Sequence, residues 1–267
     1  PRYSTDPTGY LQFLAQLIQK ERYDVLLPTH EQVFLLSRFR DVFSRHVGLA
    51  LPDFEVMQQL QSKVEFSRLL DELKLPQPKT TIFRTRQELE SLAEPPCFIK
   101  LAHSTAGSGV YFIQDNDALH RQADKLEKIA MLNGQLESLI QQPGKGIQST
   151  VQAVFHQGQL VGSHMFEARM VGVAGMSAAR IGTHHPEVLP HVRKLGKHTN
   201  WHGAMFLDYF YEPSIGPQYI EANPRIGETV NAWLSGVNLC ELLVRVSLGD
   251  CPSPLPTPRL GVRTHSG

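Results

Sequence analysis

The sequence lacks an excess of charge of either sign and lacks a long hydrophobic run. Its 267 residues carry 26 lysines and arginines against 26 aspartates and glutamates, and no basic block stands out. This balance argues against nucleic acid as a partner. No apolar stretch approaches the roughly 18 residues that cross a bilayer, so we expect no membrane partner. The composition predicts a soluble protein with enough residues for a full core.

Cysteine is scarce and has no metal-binding pattern. Cys97, Cys240 and Cys251 give an odd count without a C-x-x-C spacing, and the twelve histidines are spaced irregularly. A disulfide framework and a zinc site are therefore both disfavoured. We expect reduced thiols and a cytoplasmic location.

Two segments look like β-strands that carry one acid in an apolar run. G-A-M-F-L-D-Y contains Asp208, and Y-I-E-A-N-P-R contains Glu221, followed by Asn223 and Arg225. Side chains alternate along a strand, so Glu221 and Asn223 point to the same face. Carboxylate and amide oxygens suit a hard cation such as Mg²⁺, and Arg225 would offer a positive fork to phosphate oxygens.

These motifs, G-x-M-x-x-D-Y and Y-I-E-x-N-P-R, resemble the metal-binding strand pair of the ATP-grasp superfamily. The pattern is nearest to the carbamoyl-phosphate-synthetase and biotin-carboxylase-like branch. The resemblance extends over roughly residues 24 to 250 and includes S-K-x-x-F-x-x-L-L-x-x-L-x-x-P-x-P, which begins at Ser62. It implies an α+β ATP-grasp fold, with two α+β subdomains gripping ATP, preceded by part of an α/β pre-ATP-grasp domain.

The resemblance also implies a domain order. Part of the pre-ATP-grasp domain would occupy residues 1–55, a linker helix and the small lid subdomain 56–138, the large subdomain with the metal site 139–250, and a Pro-rich tail or linker 251–267. The first residue is Pro1 and not Met, and prolines recur near the other end. We therefore expect a piece of a longer protein with further domains.

Apolar spacing predicts the elements that carry these parts. A helix is expected over residues 6–22, a short buried strand over 24–28, and a further helix capped by Thr29. By the resemblance, Thr29, His30 and Glu31 lie near the crevice at that strand's end. One long helix is expected over 56–75, and a hinge strand over 136–142.

The same resemblance assigns the ligand contacts. Asp208, Glu221 and Asn223 would hold the magnesium ions that bridge the phosphates of ATP, with Mn²⁺ as an alternative ion. Arg225 and Lys100 would be catalytic. Gln141 and Gln142 stand where relatives generally carry an acid for the ribose or adenine. The residues expected to contact ATP are Lys63, Lys100, Ser104, Thr105, Gly107, Ser108, Gly109, Leu139, Ile140, Gln141, Gln142 and Gln148.

Four further residues are candidates for contact with the substrate. Arg169 and Arg180 flank a small-residue loop, where they form either a clamp for a carboxylate or phosphate, or ordinary pairs with surface acids. Gly227 and Glu228, by the resemblance, face the reacting acid.

The implied activity is an ADP-forming ligase. It would activate a small-molecule carboxylate as an acyl phosphate, which an amine or other nucleophile then attacks. Two alternatives stay open: a bicarbonate-activating enzyme like carbamoyl-phosphate synthetase or a carboxylase, and an ATP-binding module without catalysis.

Overall fold

The computed structural model describes residues 1–104, 107–171, 177–253 and 255–265. These residues form ten helices and ten strands. The helices are α1 (Pro7–Glu21), α2 (Gln32–Arg38), α3 (Arg40–Phe43), α4 (Phe54–Gln61), α5 (Lys63–Glu72), α6 (Arg86–Leu92), α7 (Asn116–Lys128), α8 (Val188–His198), α9 (Val230–Leu234) and α10 (Leu239–Ser247). The strands are β1 (Thr80–Thr85), β2 (Cys97–Leu101), β3 (Val110–Ile113), β4 (Asn133–Gln141), β5 (Ile147–His156), β6 (Gln159–Val171), β7 (Ser177–Thr183), β8 (Gly203–Glu212), β9 (Gly216–Asn223) and β10 (Arg263–His265).

Two antiparallel sheets organise the chain. The small sheet has the strand order β1-β4-β2-β3, and the large sheet has the order β10-β7-β6-β5-β8-β9. The small sheet packs against α6 and α7. One face of the large sheet packs against α5 and α8, and part of its other face packs against α10. This mixed arrangement confirms the expected α+β fold. Within the described ranges, no helix is both long and apolar enough to span a membrane.

The N-terminal segment differs from its prediction. The helix over residues 6–22 is present as α1, with Asp6 accepting a hydrogen bond from the backbone N–H of Gly9. The strand expected over 24–28 is only a single bridge between Val25 and Gly48. An apolar run becomes a strand only where a neighbour offers a ladder of partners, and the described chain offers one residue here. α2 follows Glu31, and no side chain caps it.

The single helix expected over 56–75 is two helices. Ser62 separates α4 from α5 with extended backbone angles, φ −79° and ψ 121°, and its hydroxyl accepts a hydrogen bond from the N–H of Glu65. The N–H of Lys63 is thereby free to donate to the carbonyl of Ala102, 2.8 Å away. Apolar periodicity continues across a serine cap, so it could not reveal this break. The break places Lys63 at the start of α5.

The Pro-rich tail is not a free linker along its whole length. β10 pairs with β7, and the N–H of Gly182 donates to the carbonyl of Val262. Leu255 packs against the main core. Proline composition indicates an extended chain, and here part of that chain becomes the edge of the large sheet. β4 also extends past the expected domain boundary at 138 and 139, since it pairs with the small sheet as far as Gln141.

Asn231 connects the tail to the interior. It is fully buried, and its Nδ2 donates to the carbonyl of Val262 at 3.1 Å and to Oγ1 of Thr264 at 3.0 Å. Its Oδ1 lies 2.7 Å from Nε2 of His164 in β6. Because burial lowers the pKa of His164, the ring is neutral and donates this bond.

We expect Asn231→Ala to lower the free energy of unfolding by about 2–4 kcal/mol, because buried polar partners lose their hydrogen bonds. Urea denaturation followed by circular dichroism measures this. Asn116→Ala, at an exposed position on α7, is the control and should change the value by less than about 0.5 kcal/mol. Equal effects of the two substitutions would show that Asn231 does not hold the tail.

Candidate active site

One face of the large sheet presents a block of functional side chains. In the register of the strands, Asp208 is paired with Glu221 on one side and with Thr150 on the other. Alternate residues of neighbouring strands therefore line up in rows across this face. The first row is Phe166, Thr150, Asp208 and Glu221, and the second is His164, Gln152, Phe206 and Asn223.

A cleft of about 580 Å³ lies over this face, and the small subdomain forms its other wall. Fourteen of the residues expected from the sequence line it. They are Lys63, Lys100, Ser104, Gly107, Gln141, Gln142, Gln148, Arg180, Asp208, Glu221, Asn223, Arg225, Gly227 and Glu228. Thr29, His30 and Glu31 line it too, as the resemblance implied.

The carboxylate of Asp208 is held by two donors. Oγ1 of Thr150 donates to Oδ1 at 2.6 Å, and Nδ2 of Asn223 donates to Oδ2 at 3.3 Å. Burial, together with the negative charge of Glu221, raises the pKa of Asp208 to about 7. The hydrogen bond from Thr150 and the positive charges of Arg225 and Lys100 oppose this rise of the pKa.

Two buried lysines reach from the small subdomain to β9. Nζ of Lys63 lies 2.8 Å from Oε1 of Glu221 and 3.0 Å from the carbonyl of Ser104. Nζ of Lys100 donates to Oε1 of Gln141 at 2.6 Å. Burial lowers the pKa of Lys100 to about 8. The negative charge of Glu221 acts to raise this pKa, and the positive charge of Lys63 acts to lower it further. The cleft therefore holds two closely spaced cationic groups where a polyanion could bind.

Arg225 is fixed by a partner from the N-terminal segment. Its Nε lies 3.2 Å from Oε1 of Glu31, whose Oε2 accepts from Nε2 of Gln61 at 2.9 Å. The guanidinium carbon also lies 5.1 Å from the centroid of the Phe206 ring. Sequence reasoning placed Glu31 near the crevice, but the separation of the two residues in the chain gave no sign of their pairing.

The two flanking arginines have different surroundings. Arg169 has a half-exposed side chain and pairs with Glu167 at 2.8 Å, and it does not line the cleft. The surface-pair interpretation fits it better than the clamp. Arg180 does line the cleft, where its Nη1 lies 3.4 Å from Oε2 of Glu228.

The expected adenine contacts are only partly in place. Leu139 and Ile140 are buried in the small subdomain and do not line the cleft, and Ile140 belongs to that subdomain's core. Ile140 faces α6 and α7, whereas Leu139 pairs with Lys100 in the register of β2 and β4 and so lies on the same side of the small sheet as that lysine. The contacts of both residues with adenine stay a prediction. Gln141 does line it. Ser108 and Gly109 are also absent from the lining, and Thr105 lies outside the described residues.

Four aromatic residues missed by sequence reasoning line the cleft: Phe98, Phe166, Phe206 and Phe210. Phe98 precedes Lys100 by two positions on β2 and so shares its face, which strand alternation could have revealed. Phe210 lies close to Gly144, where an added Cβ would stand 2.3 Å from the ring. No pattern in the sequence links these two positions. Together Phe98 and Phe210 give this end of the cleft flat apolar walls.

Comparison with known proteins finds the fold and no close relative. No protein-family model matches the sequence, and no curated protein matches it significantly. The biotin carboxylase domain of Hydrogenobacter thermophilus 2-oxoglutarate carboxylase, in complex with MgADP, ADP and bicarbonate, superposes with a TM-score of 0.78 at 14% identity. That match covers 94% of this chain and 60% of the other.

Two further structures are similar. Campylobacter jejuni biotin carboxylase, in a β,γ-ATP complex, gives a TM-score of 0.78 at 15% identity and covers 98% of this chain and 63% of that one. The L-amino acid ligase of Bacillus licheniformis gives 0.71 at 16%, with 92% and 61% covered. The chain thus spans about three fifths of the length of these structures. In this chain a small sheet and a large sheet enclose one cleft, in the arrangement of these carboxylases and ligases. The chain therefore has the ATP-grasp fold.

Proposed function

We propose that this chain is the ATP-binding catalytic region of a magnesium-dependent ligase that activates a substrate carboxylate as an acyl phosphate. The observation that carries the proposal is the meeting, in one cleft, of two buried lysines with an oxygen-rich cluster. Asp208 and Glu221 face each other across β8 and β9, and Asn223 follows at the next position on the same face. This donor set suits a hard cation.

The metal cluster fits Mg²⁺ in chemistry as well as position. Asp208, Glu221 and Asn223 each carry a carboxylate or amide oxygen, the ligand type that Mg²⁺ prefers, and Oε1 of Glu221 is now paired with Lys63. Bound Mg²⁺ would draw charge from the β- and γ-phosphates. Lys63 and Lys100 would hold phosphate oxygens, and Arg225, braced by Glu31, would hold the γ-phosphate or the acid in line.

The proposed reaction consists of two successive displacements. An oxygen of the substrate carboxylate attacks the γ-phosphorus, the bond from that phosphorus to the bridging oxygen breaks, and ADP leaves with that oxygen. The product is an acyl phosphate. An amine or other nucleophile next attacks the acyl carbon, phosphate leaves, and the proton of the amine is released. Such chemistry depends on positioning and charge more than on a covalent side chain.

Two alternatives compete with this assignment. The similar structures include biotin carboxylase domains, two of them bound to bicarbonate, which supports bicarbonate as the activated acid. A nucleotide-binding module without catalysis is the other. The retention of Lys63, Lys100, Asp208, Glu221 and Asn223 in one cleft argues against it. Measurement of ADP release in the presence of acids, amines and bicarbonate separates the three possible functions.

The first test is a thermal-shift titration with ATP, ADP and GTP, each with and without Mg²⁺. A ligand that binds only the folded state raises the melting temperature, so adenine nucleotides should do so, and more strongly with Mg²⁺. If no nucleotide changes the melting temperature, the proposed function is wrong. Binding with no ADP release from any acid and amine would favour the inactive module.

Glu221→Gln should remove the additional thermal shift that Mg²⁺ gives to ATP and should lower turnover by about 100-fold or more. The substitution keeps the size of the side chain but removes the charge that both the metal and Lys63 need, so the thermal shift given by ATP without Mg²⁺ shows whether the cleft itself is intact. Glu55→Gln, at an exposed position on α4, is the matched control and should behave as wild type. A Glu221→Gln protein with a full Mg²⁺-dependent shift would exclude Glu221 from the metal site.

Metal affinity should rise with pH through neutrality. With a pKa of about 7, Asp208 is about one tenth ionised at pH 6 and about nine tenths at pH 8, and only the ionised form binds a cation well. The affinity of the protein–ADP complex for Mn²⁺, measured by electron paramagnetic resonance, should therefore increase nearly tenfold beyond the nucleotide's own pH effect.

Asp208→Asn isolates that effect, because its amide does not titrate in this range. The variant should bind Mn²⁺ weakly, and the pH dependence that remains should come from the phosphates of ADP and from Lys100, whose pKa is about 8. If the Mn²⁺ affinity of the variant and that of the wild type rise equally with pH, Asp208 does not exchange a proton for the metal.

A further inference from the structure

Two buried polar atoms at one end of the cleft lack a partner. They are Nε of Arg180 and Oε1 of Gln152, and neither has a hydrogen bond to any described residue. Both residues line the cleft, and Gln152 is only 2% exposed. One atom is a donor and the other an acceptor. Because an unpaired buried polar atom is costly, this pair points to a ligand that both accepts and donates.

The orientation of Gln152 is fixed by its other end. Its Nε2 donates to the backbone carbonyl of Glu228 at 2.5 Å, a contact that only the nitrogen can make. Oε1 therefore faces Gly227, where a Cβ would lie 3.2 Å from Oε1 and 3.1 Å from the ring of Phe206. Because residue 227 is a glycine, no side chain covers Oε1 on this side.

The side chain of Arg180 is held in place, but Nε on one edge of its guanidinium has no hydrogen-bond partner among the described residues. Its guanidinium carbon lies 5.5 Å from the centroid of the Phe166 ring, and Nη1 contacts Glu228 at 3.4 Å. Its side chain is 11% exposed. The edge that carries Nε is the one that a carboxylate can bind with two parallel hydrogen bonds. The aromatic face and the acid together fix the plane of that edge.

The charges around this end are balanced. Arg180 and Arg225 contribute two positive charges, and Glu31 and Glu228 contribute two negative ones, all four lining the cleft. A purely anionic ligand would meet two carboxylates, and a purely cationic ligand would meet two guanidiniums. A ligand with one charge of each sign matches both sets of groups.

We propose that this end of the cleft binds a substrate that carries an ammonium group and a carboxylate together, as a free α-amino acid does. The edge of Arg180 takes the carboxylate, and Oε1 of Gln152 with the carboxylate of Glu228 takes the ammonium. The proposal rests on the proposed function and specifies one of its two substrates. If the amino acid is the activated acid, it takes the place that bicarbonate would have in a carboxylase.

The test is isothermal titration of the full chain with the twenty amino acids, with and without MgADP. For each amino acid that binds, two probes follow: the same acid without its amino group, and the same amine without its carboxylate. Both probes should bind at least tenfold more weakly than the amino acid. Bicarbonate and succinate, as small anions without an ammonium group, should show no saturable binding.

Variants assign that binding to the named residues. Arg180→Ala and Gln152→Leu should each weaken amino acid binding at least tenfold while leaving the affinity for MgADP within twofold. Arg180→Lys and Gln152→Met serve if those two do not fold, since lysine loses the two-bond edge and methionine removes the acceptor while it keeps the length of the side chain. Arg193→Ala, exposed on α8 behind the sheet, is the matched control and should bind as wild type.

The two proposals fail in different ways. If MgADP binds and no amino acid does, or if a deaminated acid or bicarbonate binds equally well, this inference is overturned and the proposed function stands. Amino acid binding that Arg180→Ala and Arg180→Lys leave unchanged also overturns it. If neither MgADP nor any amino acid binds, both proposals are wrong.

Discussion

The ion pair between Lys63 and Glu221 is the contact on which the geometry of the cleft depends. A lysine ammonium with 5% side-chain exposure is stable only beside an opposite charge, so β9 must lie close to the start of α5. The same ammonium binds the carbonyl of Ser104, which brings this end of the loop after β2 to the cleft. One buried charge thus fixes three parts of the chain relative to each other, and two of these parts belong to different sheets.

Strands β8 and β9 and several helices could be predicted from the sequence, because alternation, caps and apolar spacing are local signals, whereas β7 and β10 were not expected as strands. The break at Ser62 could not, since a cap inside a continuous apolar pattern leaves the period intact. The lone acids Asp208 and Glu221 stood out because an acid is rare in an apolar strand. Thr150, which donates to Asp208, did not stand out, because threonine is ordinary in a strand.

Other parts of the site depend on contacts that no local pattern encodes. Glu31 meets Arg225 only after the N-terminal segment packs beside β9, and Phe210 meets Gly144 only after β5 pairs with β8. Both arginines of the substrate end rest on phenyl rings, Arg225 on Phe206 and Arg180 on Phe166. The aromatic rings therefore orient the two guanidinium groups. The residues next to these rings in the sequence give no indication of this role.

The position of β10 has a consequence for the order in which this molecule can fold. β7 carries Arg180, and its outer edge is covered by residues from the far end of the chain. During synthesis that edge stays uncovered until residues 263–265 have left the ribosome, because pairing over such a sequence distance must wait for its partner. An uncovered edge can pair with the wrong strand. The edge beside Arg180 is therefore covered only after β10 has paired with β7, and until then this edge is open to wrong pairing.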